Sequence, residues 1–339
     1  MSAQVGTHSP AARAALAAVL AALLVLVVVL SLSLGSNSMG FATTWRLLLA
    51  PDGSTNATVL HELRLPRTIL GILVGAALGL AGALMQSLTR NPLADPGILG
   101  INAGASFAVV LAVALGGWTS IHAYVWFAFV GAALAALGVH LLGQAGHTRS
   151  TPARLALAGI ALSAALGALT QTTILANQHA FNEFRFWVAG SLEGRGWTVS
   201  ATVGIFMAVG AVLGLALGPA LNALALGDEA GRSLGVNVAR TRGLTMLAVT
   251  LLCGAATAAA GPLTFVGLAV PFVIRALVGP DQRWIGILSL VAGPVWLLGA
   301  DVLARVLVAP QEVPVGIVSA LVGAPFFVWL VRRREVSAL

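Results

Sequence analysis

Residues 68–88 read TILGILVGAALGLAGALMQSL. The run has no charge and no alternation of polar with apolar positions, and it is about as long as the roughly 20 residues that carry a helix across a bilayer. A membrane barrel strand would be shorter and would alternate. Nine further runs of the same kind lie at 16–34, 97–116, 121–142, 154–176, 198–218, 243–260, 262–279, 286–304 and 313–331. The expected fold is therefore all-α, a polytopic membrane protein of about ten transmembrane helices. The runs at 97–116 and 262–279 are short and punctuated by glycine, so they are expected to be short or broken.

Composition agrees with that reading. Of 339 residues, 58% are hydrophobic and 9% are charged, with a mean hydropathy of +0.96. A water-soluble domain carries nearer a quarter charged residues, so lipid is the solvent here. The 39 glycines fit close helix contacts in a medium that supplies no hydrophobic force between helices. The single cysteine, Cys253, lies in an apolar run and has no partner for an internal disulfide.

All 18 basic residues are arginine. In a soluble protein a net charge of +7 would suggest nucleic acid; here it is read as topology, with no nucleic acid as a partner. Ten spans with a cytoplasmic N-terminus place twelve of the 18 arginines inside, in keeping with the positive-inside rule. Both termini then face the cytoplasm of a multi-pass cell-membrane protein. The expected organisation is a tail at 1–14, one transmembrane domain at 15–331 and a tail at 332–339. The first run resembles the apolar part of a signal peptide but is read as a retained first helix.

Three groups of polar residues are not explained by crossing a membrane. The first is LGDEAGRSLGVNVARTR at 226–242, on the cytoplasmic side. Asp228 and Glu229 suit the positive end of a short helix and Gly235 its termination, with Leu226 and Leu234 left for contact. A plain return of the chain needs fewer residues, so either a long polar turn or a docking surface fits. The second group is Arg64 and Arg67, three apart on the outer side, offered from nearly one direction if a helix begins near Pro66. They suit an acidic group on a ligand or protein, or lipid phosphate. Asp301 and Arg305, four apart, allow an internal helical ion pair or exposure of Arg305 beside Arg64 and Arg67. The third group comprises two breaks inside apolar sequence. Gln86, Asn91, Pro92, Asp95, Pro96, Gly97 and Asn102 mark one; Gly261, Pro262, Gly267 and Pro271 mark the other. Irregular backbone at membrane depth requires protein or a water-filled path to satisfy it. Both are read as bent helices, either near a translocation path or as plain structural kinks.

No enzyme site assembles from these residues. There is no GxxxxGK[ST] phosphate loop, no GxSxG elbow, and the six histidines do not fall at metal-ligand spacing.

The same segments resemble the iron-siderophore and cobalamin uptake permease family, the membrane subunits of type II ATP-binding-cassette importers. The likeness runs in order through RLPR at 64, GALMQSLTRNPLADPGILGINAGA at 82, WVAGSLEGRGW at 187, LNALALGDEAGRSLGVNV at 221, AGPLTFVGLAVPFVIRALVGPDQR at 260, GADVLARVL at 299 and EVPVGIVSALVGAPFF at 312. The resemblance implies ten helices per subunit and a second permease subunit, identical or homologous, around a central path. It implies two cytoplasmic ATPase subunits and an extracytoplasmic substrate-binding protein. ATP and Mg would sit on the ATPases, with no cofactor and no metal held by this chain. Ferric siderophore is the implied cargo, with cobalamin or haem as alternatives.

By the same resemblance Leu226, Gly227, Asp228, Glu229, Arg232, Ser233, Leu234 and Gly235, within 221–240, couple to the ATPase. Arg64, Arg67 and Arg305 meet acidic residues of the binding protein. This chain departs from the family's usual pattern at Phe272 and Gln282, where histidine is common, and at Gly231, where alanine is common. A rival of another class, an ion-coupled secondary transporter, would need an intramembrane carboxylate such as Asp95 or Asp301.

Overall fold

The computed structural model describes residues 9–35, 39–144 and 152–333. Residues 1–8 and 334–339, which carry most of the two expected tails, lie outside the described residues. The chain begins with α1 (Pro10–Ser33) and the short α2 (Phe41–Leu49). Next, α3 (Thr55–Thr58) runs through a π turn at Val59–Arg64 directly into α4 (Leu65–Thr89). After a 3₁₀ turn at Pro96–Leu99 come α5 (Ile101–Gly116), α6 (Ile121–Gln144), α7 (Pro152–Ala176), α8 (Gln178–Val188) and α9 (Gly196–Ala216). Two short helices, α10 (Gly218–Ala225) and α11 (Asp228–Ser233), precede α12 (Val238–Ala260), α13 (Val266–Val278), α14 (Gln282–Val306) and α15 (Val315–Arg333).

Seven of these helices are long and apolar enough to cross a membrane, and three shorter apolar ones lie at Ile101–Gly116, Val266–Val278 and Val315–Val328. Together they coincide with the ten apolar runs. The two runs expected to be broken start late: Asp95 caps a 3₁₀ turn at Pro96–Leu99 that precedes α5, and Gly261-Pro262 ends α12 ahead of α13. Spans alternate in direction, so the bundle has two ends: one carries Arg64, Gly196 and Val306, the other Thr89, Asp228 and Gln282.

The core is built around α4, the most buried of the long spans, which packs on α14, α12, α13 and α9. Glycine makes this possible. A Cβ on Gly75 would stand 2.6 Å from the Pro294 backbone nitrogen, and one on Gly82 would collide with the Gly267 carbonyl. Backbone therefore meets backbone, and dispersion contacts accumulate where lipid supplies no driving force.

One expectation is corrected here. The helix bearing Arg67 does not begin near Pro66; it begins at Thr55, where Ser54 Oγ accepts from the Ala57 N–H at 3.2 Å. Pro66 has no N–H to give, and the wider π turn immediately before it absorbs the change in hydrogen-bond register.

Candidate functional site

At the Asp228 end the polar segment forms a compact elbow. Gly227 adopts φ +114° between α10 and α11. Gly235 adopts φ +83°, and its N–H donates to Arg232 O while the Val236 N–H donates to Gly231 O. This paired closure satisfies the last carbonyls of the helix and needs glycine at the left-handed position. The elbow is clamped on both flanks. Asp228 accepts from Arg90 Nη2 at 2.6 Å and from Arg242 Nη2 at 3.0 Å, which ties α11 to the end of α4 and the start of α12. On α10, Asn222 donates to Asp281 Oδ1 at 2.8 Å and accepts from the Gln282 N–H at 2.8 Å, which ties it to α14.

Its outer side is open: Leu226 is 71% and Leu234 63% exposed, and Glu229, Arg232, Ser233 and Gly235 are exposed beside them. Gly231 is buried, and a Cβ there would stand 2.8 Å from Leu224 Cδ2, so glycine lets α11 fold close against α10. At the two other departures, Gln282 Oε1 accepts from Ser87 Oγ, and Phe272 packs edge-on against Phe327 with centroids 6.0 Å apart.

The two broken segments meet each other. A Cβ on Gly267 would lie 2.9 Å from Pro96 Cδ, and Gln86 Nε2 donates to Leu268 O at 3.1 Å. Asp95 and Asn91 serve the irregular backbone beside them, while Asn102 is bonded from another helix. Asp95 Oδ1 accepts from the Gly97 N–H at 2.8 Å, Asn91 Oδ1 accepts from the Leu93 N–H at 2.9 Å, and Asn102 Oδ1 accepts from Thr257 Oγ1 at 2.9 Å. Pro92 and Pro271 are buried. Pro262 follows Gly261, whose φ of +78° lets it lie against the Trp187 carbonyl.

At the opposite end, Arg64, Arg67 and Arg305 line one cavity of about 470 Å³ together with Glu62, Glu193, Arg195 and Glu312. Arg64 Nη1 donates to the carbonyls of Leu32 and Ser33 at 2.8 and 2.9 Å. Arg67 spans two carboxylates, Asp301 at 2.8 Å and Glu312 at 2.6 Å. Arg305 pairs with Asp301 at 2.9 Å and donates to Ser31 O and Leu34 O. Asp301 is wholly buried and Arg305 is 2% exposed. Of the two sequence readings of Asp301 and Arg305, the structure forms the internal pair, and the Arg305 guanidinium is turned into the chain.

Sequence reasoning passed over Arg195. It sits between Gly194 and Gly196, at φ +70° and +56°. Among the described residues no carboxylate lies within ion-pair distance of it, and its Nε donates only to Ser191 O at 3.4 Å. Burial pushes its pKa down to about 10, against the opposing pull of Glu193 and Tyr124. The Gly-Arg-Gly triplet was the available signal.

Comparison with known proteins places these features in a family. The FecCD transport family matches residues 23–333. The chain is 46% identical over 312 residues, 92% of its length and 93% of the relative's, to the ferric enterobactin transport system permease protein FepD of Escherichia coli (strain K12). It is 40% identical to the Fe(3+)-citrate import system permease protein YfmD of Bacillus subtilis (strain 168), covering 90% of each chain. A solved structure described as "An inward-facing conformation of a putative metal-chelate type ABC transporter" superposes with a TM-score of 0.83 at 28% identity, covering 94% of this chain and 99% of that one. With its matched region running from α1 to the end of α15, this chain belongs to the FecCD transport family.

Proposed function

We propose that this chain is the non-catalytic transmembrane permease subunit of an ATP-driven importer, and that its cargo is a ferric siderophore. The observation that carries this reading is the clamped elbow at Asp228. A short capped helix held by ion pairs to α4 and α12 presents two exposed leucines, as a surface that receives force from a partner should. The Asp228 end is the cytoplasmic one, by the arginine bias, and both termini lie there. Two ATPase subunits bearing ATP and Mg engage 226–235, and movement there passes into α4, α12 and α14 through Asp228 and Asn222. A second permease subunit completes the path.

At the other end the cavity mouth is the docking place of an extracytoplasmic binding protein. Arg64 and Arg67 are its arginines by family resemblance; Arg305, which the resemblance also assigns to docking, is turned into the chain and braces Asp301 behind them. Arg195 adds a cation that forms no ion pair among the described residues, suited to a charge-assisted contact that fixes orientation. The likeness to permeases named for ferric enterobactin and ferric citrate supports an iron chelate as cargo, ahead of cobalamin or haem. The two breaks, held against each other at Gly267 and Pro96, are the assigned bend points beside the path.

Reconstitution tests the proposal. The chain, purified with its ATPase and binding protein in proteoliposomes, should take up radiolabelled ferric siderophore only with ATP and Mg, and Leu226→Asp/Leu234→Asp should lose both the ATPase and uptake. Uptake driven by an ion gradient without any ATPase would overturn it.

A further inference from the structure

α2 is too short to span a bilayer, yet it carries more exposed apolar surface than a solvated loop helix should. One side is used internally: Thr44 and Leu47 are buried, Leu47 in a small cluster with Leu32, Met39, Ala57 and Leu60. At about 100° per residue, Phe41, Trp45 and Leu49 form a separate stripe, and they are 61%, 53% and 70% exposed. Ala42, Arg46 and Ala50 occupy the remaining sector, all exposed. The helix therefore has three faces: one against the protein, one of large apolar groups, and one with a cation.

The surroundings indicate what covers the apolar face. The tryptophans exposed among the described residues are Trp45, Trp118, Trp126 and Trp197, and all four lie at the Arg64 end. Trp118 follows α5, Trp126 is in the first turns of α6, and Trp197 opens α9. Tryptophan gathers at the boundary between acyl chains and headgroups. α2 is joined to that belt by hydrogen bonds: Trp197 Nε1 donates to His61 O at 3.3 Å, and the His61 ring bonds to Leu47 O at 3.0 Å. An apolar face beside a basic one is the pattern of helices that lie in the interface, with arginine on lipid phosphate.

We propose that α2 is an interfacial membrane helix. It seats Phe41, Trp45 and Leu49 in the acyl boundary of the leaflet at the Arg64 end, with Arg46 on the lipid phosphates. Through Leu47 and His61 it holds the π turn that bears Arg64, and so the cavity mouth, at a fixed height over the bilayer. The seating does not depend on what the mouth receives.

The test uses the full chain in proteoliposomes of phosphatidylethanolamine and phosphatidylglycerol. Single cysteines at 41, 45, 46, 49 and 50, on a Cys253→Ser background, carry spin labels, with position 23 on the exposed side of α1 as the lipid reference. Labels at 41, 45 and 49 should be open to oxygen and closed to an aqueous nickel chelate, as at 23. Labels at 46 and 50 should be open to the chelate. An independent reading needs no label: bromination of the acyl chains should quench the part of the tryptophan emission lost in Trp45→Phe. The proposal fails if 41, 45 and 49 are as open to nickel as 46, if they close only when purified binding protein is added, or if the Trp45 emission is untouched by brominated lipid.

Discussion

Replacing Asp301 by asparagine keeps the side chain's size and removes one negative charge from a wholly buried position. Asp301 is wholly buried and holds two guanidinium groups, Arg67 at 2.8 Å and Arg305 at 2.9 Å. Breaking a buried ion pair from one side costs about 3–5 kcal/mol, because the abandoned charge cannot be solvated. Arg67 keeps Glu312 at 2.6 Å, so the stranded charge is that of Arg305 and the loss should fall near the lower figure. About 3 kcal/mol is roughly a hundredfold in the folded-to-unfolded ratio. Cys253 supplies the assay: it is the one cysteine of the chain and is buried, so a thiol-reactive fluorophore reports its exposure as the detergent-solubilised protein is heated. Asp301→Asn should label at a clearly lower temperature than the wild type, and Asp301→Asn/Arg305→Met, which leaves no stranded charge, should recover part of the loss. A single variant that melts with the wild type, or a double variant worse than both singles, would refute the ion-cluster reasoning.

Three further outcomes follow from the same geometry. Gly82→Ala puts a methyl group on the Gly267 carbonyl, which should destabilise the fold by at least the about 1–3 kcal/mol of overpacking and so lower the Cys253 labelling temperature. Gly235→Val forces a branched residue to φ +83°, a cost of about 1–2 kcal/mol confined to the exposed elbow; uptake and ATPase retention should fall while the Cys253 profile stays in place. Arg195→Gln should weaken binding-protein affinity, measured by surface capture, and leave ATPase association unchanged; equal affinity would remove Arg195 from the docking assignment.

The seven long apolar helices and the three shorter ones were legible because a bilayer demands long continuous hydrocarbon, and the sequence pattern reports that. The end of the elbow was legible too, since Gly235 closes the helix on residues beside it in sequence; its clamp was not, because Asp228 pairs with Arg90 and Arg242. What stayed hidden depends on distant partners. Nothing near Gly82 announces that Gly267 will press against it, and the spacing of Asp301 and Arg305 permits a pair without saying that Ser31 and Leu34 will draw the guanidinium inward. α2 escaped because its apolar residues are four apart in a nine-residue stretch that no span-length window detects. Pro66 misled because proline is a good helix starter, and a π turn let the helix run on through it.

The central claim is that the elbow at 226–235 couples this permease to ATP hydrolysis. A crosslink measures it most directly. Cysteines placed at 226 and 234, on a Cys253→Ser background, should crosslink to the purified ATPase subunit, with a yield that changes when ATP and Mg are bound and again when ATP is hydrolysed. Joining the two subunits there should halt ferric siderophore uptake, and reduction should restore it. Contact at neither position, or uptake that continues with the crosslink in place, would contradict the account.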